Sequence, residues 1–157
     1  MEYFKIDDSN YQSFKCLAYD YYKDGEEAET PDDDIYAFIR TLFEMIDFRQ
    51  IFGYLAYIGK QAAGFCIWGI DGEHFPFSEM RGYGTIMEIG IVKSMQRKGL
   101  GKEFVSYIEE DMLNNGVDKC YVSAYGKALK FWSLCDYEVI GKTAGNGLPL
   151  MTKENLI

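Results

Sequence analysis

Between Thr85 and Met112 the chain sets three unlike patterns end to end, and this succession restricts the fold more than any other feature. Thr85 to Val92 is a near-continuous apolar run broken by Glu88 and Gly90, which reads as a buried strand. Gln96-Arg97-Lys98-Gly99-Leu100-Gly101-Lys102 is a basic, glycine-bearing turn. Leu100, Phe104, Val105, Ile108 and Met112 then recur at helical spacing, and Asn114-Asn115-Gly116 ends the helix. A strand that passes through a turn into an amphipathic helix points to a sheet with helices packed on it.

The flanking patterns extend this to a mixed α/β sheet. Tyr3 to Ile6 predicts a short strand, and Ser9 to Gln12 has the residues of a capping box. Tyr11, Phe14, Leu17, Ala18, Tyr21 and Tyr22 predict a first helix. Ile35, Phe38, Ile39, Leu42, Phe43 and Ile46 predict a second, after Pro31 and a choice of Asp N-caps. Ile51 to Ile58 and Ala62 to Ile70, joined at Gly59-Lys60, read as a β-hairpin, and Gly72 to Tyr83 as a loop. Cys120 to Ala124, Tyr137 to Gly141 and Leu148 to Lys153 read as strands, with a short helix from Lys127 to Leu134. With 157 residues, 48% hydrophobic and 26% charged, and no repeat or linker, the expectation is one domain spanning 1–157.

Charge and cysteine usage exclude several function classes. The net charge of −9 argues against nonspecific nucleic-acid binding, which basic residues drive. Residues 1 to 92 hold 7 Lys/Arg against 17 Asp/Glu, and residues 93 to 157 hold 9 against 8, so the first part is acidic and the second nearly neutral. No apolar run reaches the roughly 20 residues of a membrane span, and Met1 to Asp8 lacks a cleavage signal, so a cytoplasmic protein without membrane attachment is expected. Cys16, Cys66, Cys120 and Cys135 have no metal-binding spacing and His74 is the single histidine. Neither a metal site, a disulfide framework nor a histidine-based nucleophile is therefore expected.

Glycines let the backbone of the 96–102 turn approach a ligand, and the amides and dipole of the following helix favour an anion there. Arg97, Lys98 and Lys102 add positive charge. The spacing excludes two well-known phosphate loops. Gln96 and Glu103 stand where a Walker A loop needs Gly and Ser/Thr, and Phe104 stands where the dinucleotide fingerprint needs its third glycine.

In its residues and context the turn resembles the central motif of the GCN5-related N-acetyltransferases, Q/R-x-x-G-x-G/A, at Gln96, Gly99 and Gly101. Ile91 stands where that family usually has a strand valine, and Ala128 to Tyr137 is similar to its A-x-x-F-Y-x-x-x-G-F segment. The resemblance implies a mixed sheet of about six to seven strands with helices on both faces. It implies that Gln96, Arg97, Lys98, Gly99, Leu100, Gly101 and Lys102 cradle the pyrophosphate of acetyl-CoA. It also implies that the strand at Ile89, Gly90 and Ile91 splays from its neighbour, binds the pantetheine arm and polarises the thioester carbonyl. Direct acetyl transfer to the primary amine of a small-molecule or peptidic acceptor is the implied reaction, with a homodimer a frequent assembly.

Glu88, the one acid of the motif strand, is the candidate base, with a structural hydrogen-bond acceptor as the other reading. The family's usual proton-donating tyrosine is replaced by Trp132, and Asp136 replaces its glycine. Tyr125, where many relatives have asparagine, is the nearest alternative donor, and Tyr125 and Trp132 equally suit the wall of the cofactor site. These departures keep a second reading open, an acetyl-CoA-binding module without turnover. Asp20, Asp24, Glu26, Glu27, Glu29, Asp32, Asp33 and Asp34, opposed by Lys23 alone, form either a solvated loop or an attractor for a cationic amine. Tyr19, Tyr21, Tyr22 and Tyr36 around the run supply either cation–π contacts or ordinary core.

Overall fold

The computed structural model describes residues 1–25, 27–73, 75 and 78–157. The elements are β1 (Glu2–Lys5), α1 (Tyr11–Lys23), α2 (Asp32–Asp47), β2 (Phe52–Ile58), β3 (Gln61–Ile70), β4 (Gly84–Ile91), α3 (Leu100–Asn114), β5 (Cys120–Ser123), α4 (Gly126–Leu134), β6 (Glu138–Thr143) and β7 (Pro149–Lys153). The strands form a seven-stranded mixed sheet in the order β1-β2-β3-β4-β5-β7-β6, as the expected α/β class requires. The chain divides into two compact units, Met1–Ile67 with Glu88–Gly101, and Trp68–Met87 with Lys102–Ile157.

In the first unit, β1 pairs antiparallel with β2 from Glu2↔Tyr57 to Lys5↔Tyr54. Gly59, at φ +59°, turns the chain tightly from β2 into β3. α1 buries Phe14, Ala18 and Tyr22, and α2 buries Ile35, Ile39, Leu42 and Phe43, the faces their periodicity selects. The two helices meet where Tyr11 packs on Phe43, with centroids 4.5 Å apart.

Three local expectations are corrected. Ser9 does not cap α1: its hydroxyl donates to Asp7 (2.5 Å), while Asn10 precedes the helix and accepts from the Asp7 N–H (2.9 Å). This Asp7–Asn10 turn competes with a capping box for the same short polar side chains. No aspartate is the N-cap of α2, because Pro31 holds that place and Asp32, Asp33 and Asp34 fall in the first turn, where the helix dipole favours them. The motif strand also does not run straight into the glycine turn, since a 3₁₀ turn, Lys93–Met95, lies between them.

Strands β3 and β4 approach at two glycines. A β-carbon on Gly64 would lie 2.4 Å from the Gly90 carbonyl oxygen and 2.8 Å from Ile91 Cδ1. Gly64→Ala is therefore expected to destabilise the fold by about 1–3 kcal/mol, the usual effect of overpacking. A urea midpoint equal to that of the unsubstituted protein would contradict this close approach.

In the second unit, β5 pairs antiparallel with β7 from Cys120↔Lys153 to Ser123↔Leu150, and β7 with β6 across a register shift between Val139 and Thr143. β4 pairs parallel with β5 at Gly84↔Cys120 and Thr85↔Tyr121. The buried face of α3 presents Phe104, Val105, Ile108 and Met112. Asp71 is buried, and its Oδ2 accepts from the N–H groups of Glu79 and Met80 and from the Tyr121 hydroxyl, each at 2.8 Å. Burial alone would raise its carboxyl pKa, but the donors around it outweigh burial and hold it below the usual value. Among the described residues no helix is long and apolar enough to cross a membrane, and no group of metal-ligating side chains gathers. Cys16 is exposed, Cys66, Cys120 and Cys135 are buried, and all four are free thiols.

Candidate cofactor and base site

The turn after β4 departs from regular structure in a way that exposes its backbone. Val92 closes the strand by donating its N–H to the Ala63 carbonyl (2.8 Å), and the 3₁₀ turn then leads to Gln96 in extended conformation. Arg97 follows at φ +60° and Gly99 at φ +81°. Left-handed residues within a turn favour an anion-binding nest of successive N–H groups, and Arg97 and Gly99 supply two of them on either side of Lys98. A left-handed conformation costs a non-glycine residue about 1–2 kcal/mol, so Arg97 is held in it against its preference. The side chains of Gln96, Arg97 and Lys98 are exposed, and a β-carbon at Gly99 would meet nothing within 4 Å. α3 then begins at Leu100, and the first N–H groups of any helix lack intrahelical partners.

Gln96 has a second role that spacing did not reveal. Its side-chain amide donates to the Ile91 carbonyl (2.9 Å), tying the turn back to the last residue of β4. The turn and the end of the motif strand are thereby fixed to one another. Of the expected cofactor residues, Ile89, Gly90, Ile91, Gln96, Arg97, Lys98, Gly99, Leu100 and Gly101 lie together in the first unit.

The other face of interest lies upstream on β4. Alternation places Glu88 and Gly90 on one side of the strand and Ile89 and Ile91 on the other. A β-carbon at Gly90 would lie 2.9 Å from Tyr21 Cδ2 and from Phe65 Cε1, so α1 and β3 press directly on this backbone. Glu88 is half-buried. Tyr22 is buried beside it: burial first, and then the Glu88 negative charge, push the Tyr22 phenol far above its ordinary pKa and keep it protonated. Gly90 interrupted the apolar run in the sequence, but the rings that press on it there depend on α1 returning to the sheet.

The remaining candidates lie in the second unit. Tyr125 is the N-cap residue of α4 and 47% exposed. Trp132 is buried, with Phe131 and Tyr137 at 5.1 Å in edge-to-face contacts, so much of its surface is taken by protein. Asp136 adopts φ +68°, which accounts for a glycine in the family's segment here, since aspartate tolerates the left-handed region better than most residues. Lys102 is the third residue of α3.

The acidic run is only partly a free surface. Asp32 takes an ion pair from Lys23 (2.9 Å) and a hydrogen bond from the Tyr19 hydroxyl (3.0 Å). Glu27 accepts from Thr30. Asp20, Asp24, Glu29, Asp33 and Asp34 are exposed. Glu26 and His74 lie outside the described residues.

This strand–turn–helix corner on a seven-stranded mixed sheet is the architecture of an acetyltransferase fold. An N-acetyltransferase from Thermoplasma acidophilum, PaiA, solved in complex with coenzyme A, superposes with a TM-score of 0.73 at 14% identity, over 97% of this chain and 97% of that one. An aminoglycoside 6'-N-acetyltransferase complexed with coenzyme A does so with 0.73 at 15%, over 100% and 98%. An acetyltransferase of the GNAT family from Staphylococcus aureus Mu50 gives 0.75 at 12%, over 99% and 99%. No curated protein matches the sequence. The family model of the acetyltransferase (GNAT) family matches residues 12–137, and the chain belongs to that family.

Proposed function

We propose that the chain is an N-acetyltransferase that passes the acetyl group of acetyl-CoA directly to the primary amine of a small acceptor. The observation that carries this reading is the turn from Gln96 to Gly101, whose alternating left-handed residues and helix start present backbone amides suited to a pyrophosphate. Arg97, Lys98 and Lys102 add charge to the same turn. Ile89, Gly90 and Ile91 offer main-chain groups to the pantetheine arm and the thioester carbonyl, and the Gln96 tether keeps that strand end in place. The acceptor nitrogen attacks the thioester carbon, the C–S bond breaks as the C–N bond forms, and Glu88 takes the amine proton. The departing thiolate is a tolerable leaving group, since a thiol pKa is roughly 8.5, and Tyr125 is the candidate that protonates it. Trp132 flanks the cofactor in this reading.

Thiol release from acetyl-CoA, followed with polyamines, aminoglycosides, amino acids and basic peptides, tests the proposal. Release with at least one amine is expected. Tight coenzyme A binding without release for any of them would establish the binding module that the Trp132 replacement suggests.

A further inference from the structure

Four aromatic rings in the first unit form a continuous row. Phe65 and Tyr21 stand edge to face at 5.3 Å, Tyr21 and Tyr22 at 5.2 Å, and Tyr22 and Phe38 at 5.4 Å. At one end the row touches the reacting strand, through the contact of Tyr21 and Phe65 with Gly90 and through Tyr22 beside Glu88. The row opens to solvent at Tyr21, 39% exposed, and, beyond buried Tyr22, at its far end at Phe38, 47% exposed. Negative charge borders the open end, because exposed Asp20 precedes Tyr21 and exposed Asp34 lies one helical turn before Phe38.

Partly exposed rings, flanking carboxylates and a half-buried glutamate together complement an ammonium group on an apolar body. A polyhydroxylated or saturated body would forgo the ring–ring contacts that Tyr21 and Phe38 offer to an aromatic one. We propose that this row seats the acceptor and selects a primary amine carried on an aromatic body, with Tyr21 and Phe38 as specificity-determining residues and the nitrogen directed to Glu88. The assignment rests on β4 being the reacting edge, as in the function proposed above.

Acetylation of 2-phenylethylamine, n-butylamine and kanamycin by the unsubstituted protein, Phe38→Ala and Tyr21→Leu tests it, with coenzyme A affinity measured by calorimetry on each. The unsubstituted protein is expected to favour 2-phenylethylamine over n-butylamine by about tenfold or more in kcat/KM. Each substitution should bring that ratio towards one, chiefly through KM, without changing coenzyme A affinity. A ratio near one in the unsubstituted protein, a preference for kanamycin, no turnover of any of the three, or a ratio retained in both variants would overturn the seat. Coenzyme A binding with a retained ratio would leave the proposed function standing, whereas absence of coenzyme A binding would remove both.

Discussion

Gly99→Val is expected to lower coenzyme A affinity by about a hundredfold while leaving a folded protein. Gly99 sits at φ +81°, where a branched side chain is disfavoured, and nothing lies within 4 Å of the space its β-carbon would enter. The added β-carbon therefore meets no protein atom, and the structural penalty expected is the conformational one of about 1–2 kcal/mol. The larger effect falls on the ligand. If two amides here hold the diphosphate, re-aiming them removes charge-assisted hydrogen bonds of about 1.5 kcal/mol each, together about two decades in the dissociation constant. Calorimetry with coenzyme A, paired with a thermal melt, separates the two contributions. A folded variant with unchanged affinity would place the diphosphate elsewhere.

The second large effect is expected at Glu88. Glu88→Gln should reduce kcat at neutral pH by about 10²–10⁴, the range of a lost general base. The direction with pH follows from the acceptor. An alkylammonium has a pKa near 10.4, so at pH 7 nearly all of it needs deprotonation, while towards pH 10 a growing share arrives neutral. The glutamine variant should recover as pH rises. The unsubstituted protein should instead lose activity as acid protonates Glu88. Acetyl-CoA KM should be unchanged in the variant. An unaltered pH–rate profile would leave Glu88 as a structural neighbour of Tyr22.

What the sequence disclosed follows the range of the interactions involved. The strand, turn and helix around Gln96 to Lys102 were legible because each depends on neighbours in the chain: apolar continuity, glycine at a left-handed position, 3.6-residue periodicity. The hairpin at Gly59-Lys60 and the buried faces of α1 and α2 were legible for the same reason. Start sites were less so. Ser9, Asn10 and Asp7 offer several short polar side chains within four residues, and Asp7 Oδ1 takes both the Ser9 N–H that a capping box would have used and the Ser9 hydroxyl. The side-chain tether from Gln96 to Ile91 spans five residues across a 3₁₀ turn that periodicity does not announce.

The Tyr21 and Phe65 contacts at Gly90 were invisible because they join α1, β3 and β4, which are far apart in the chain. A β-carbon on Gly64 would lie 2.4 Å from the Gly90 carbonyl oxygen, and one on Gly90 would lie 2.9 Å from Tyr21 and Phe65, which explains why neither carries a side chain.

The account rests on main-chain amides of the turn after β4 gripping the diphosphate. Titration of isotopically labelled protein with coenzyme A, followed by amide ¹H–¹⁵N shifts, reads those amides one by one. The prediction is that Lys98, Gly99, Leu100 and Gly101 show the largest downfield shifts, saturating together with the calorimetric isotherm. Saturable binding that leaves these four amides unmoved and shifts another region would contradict it.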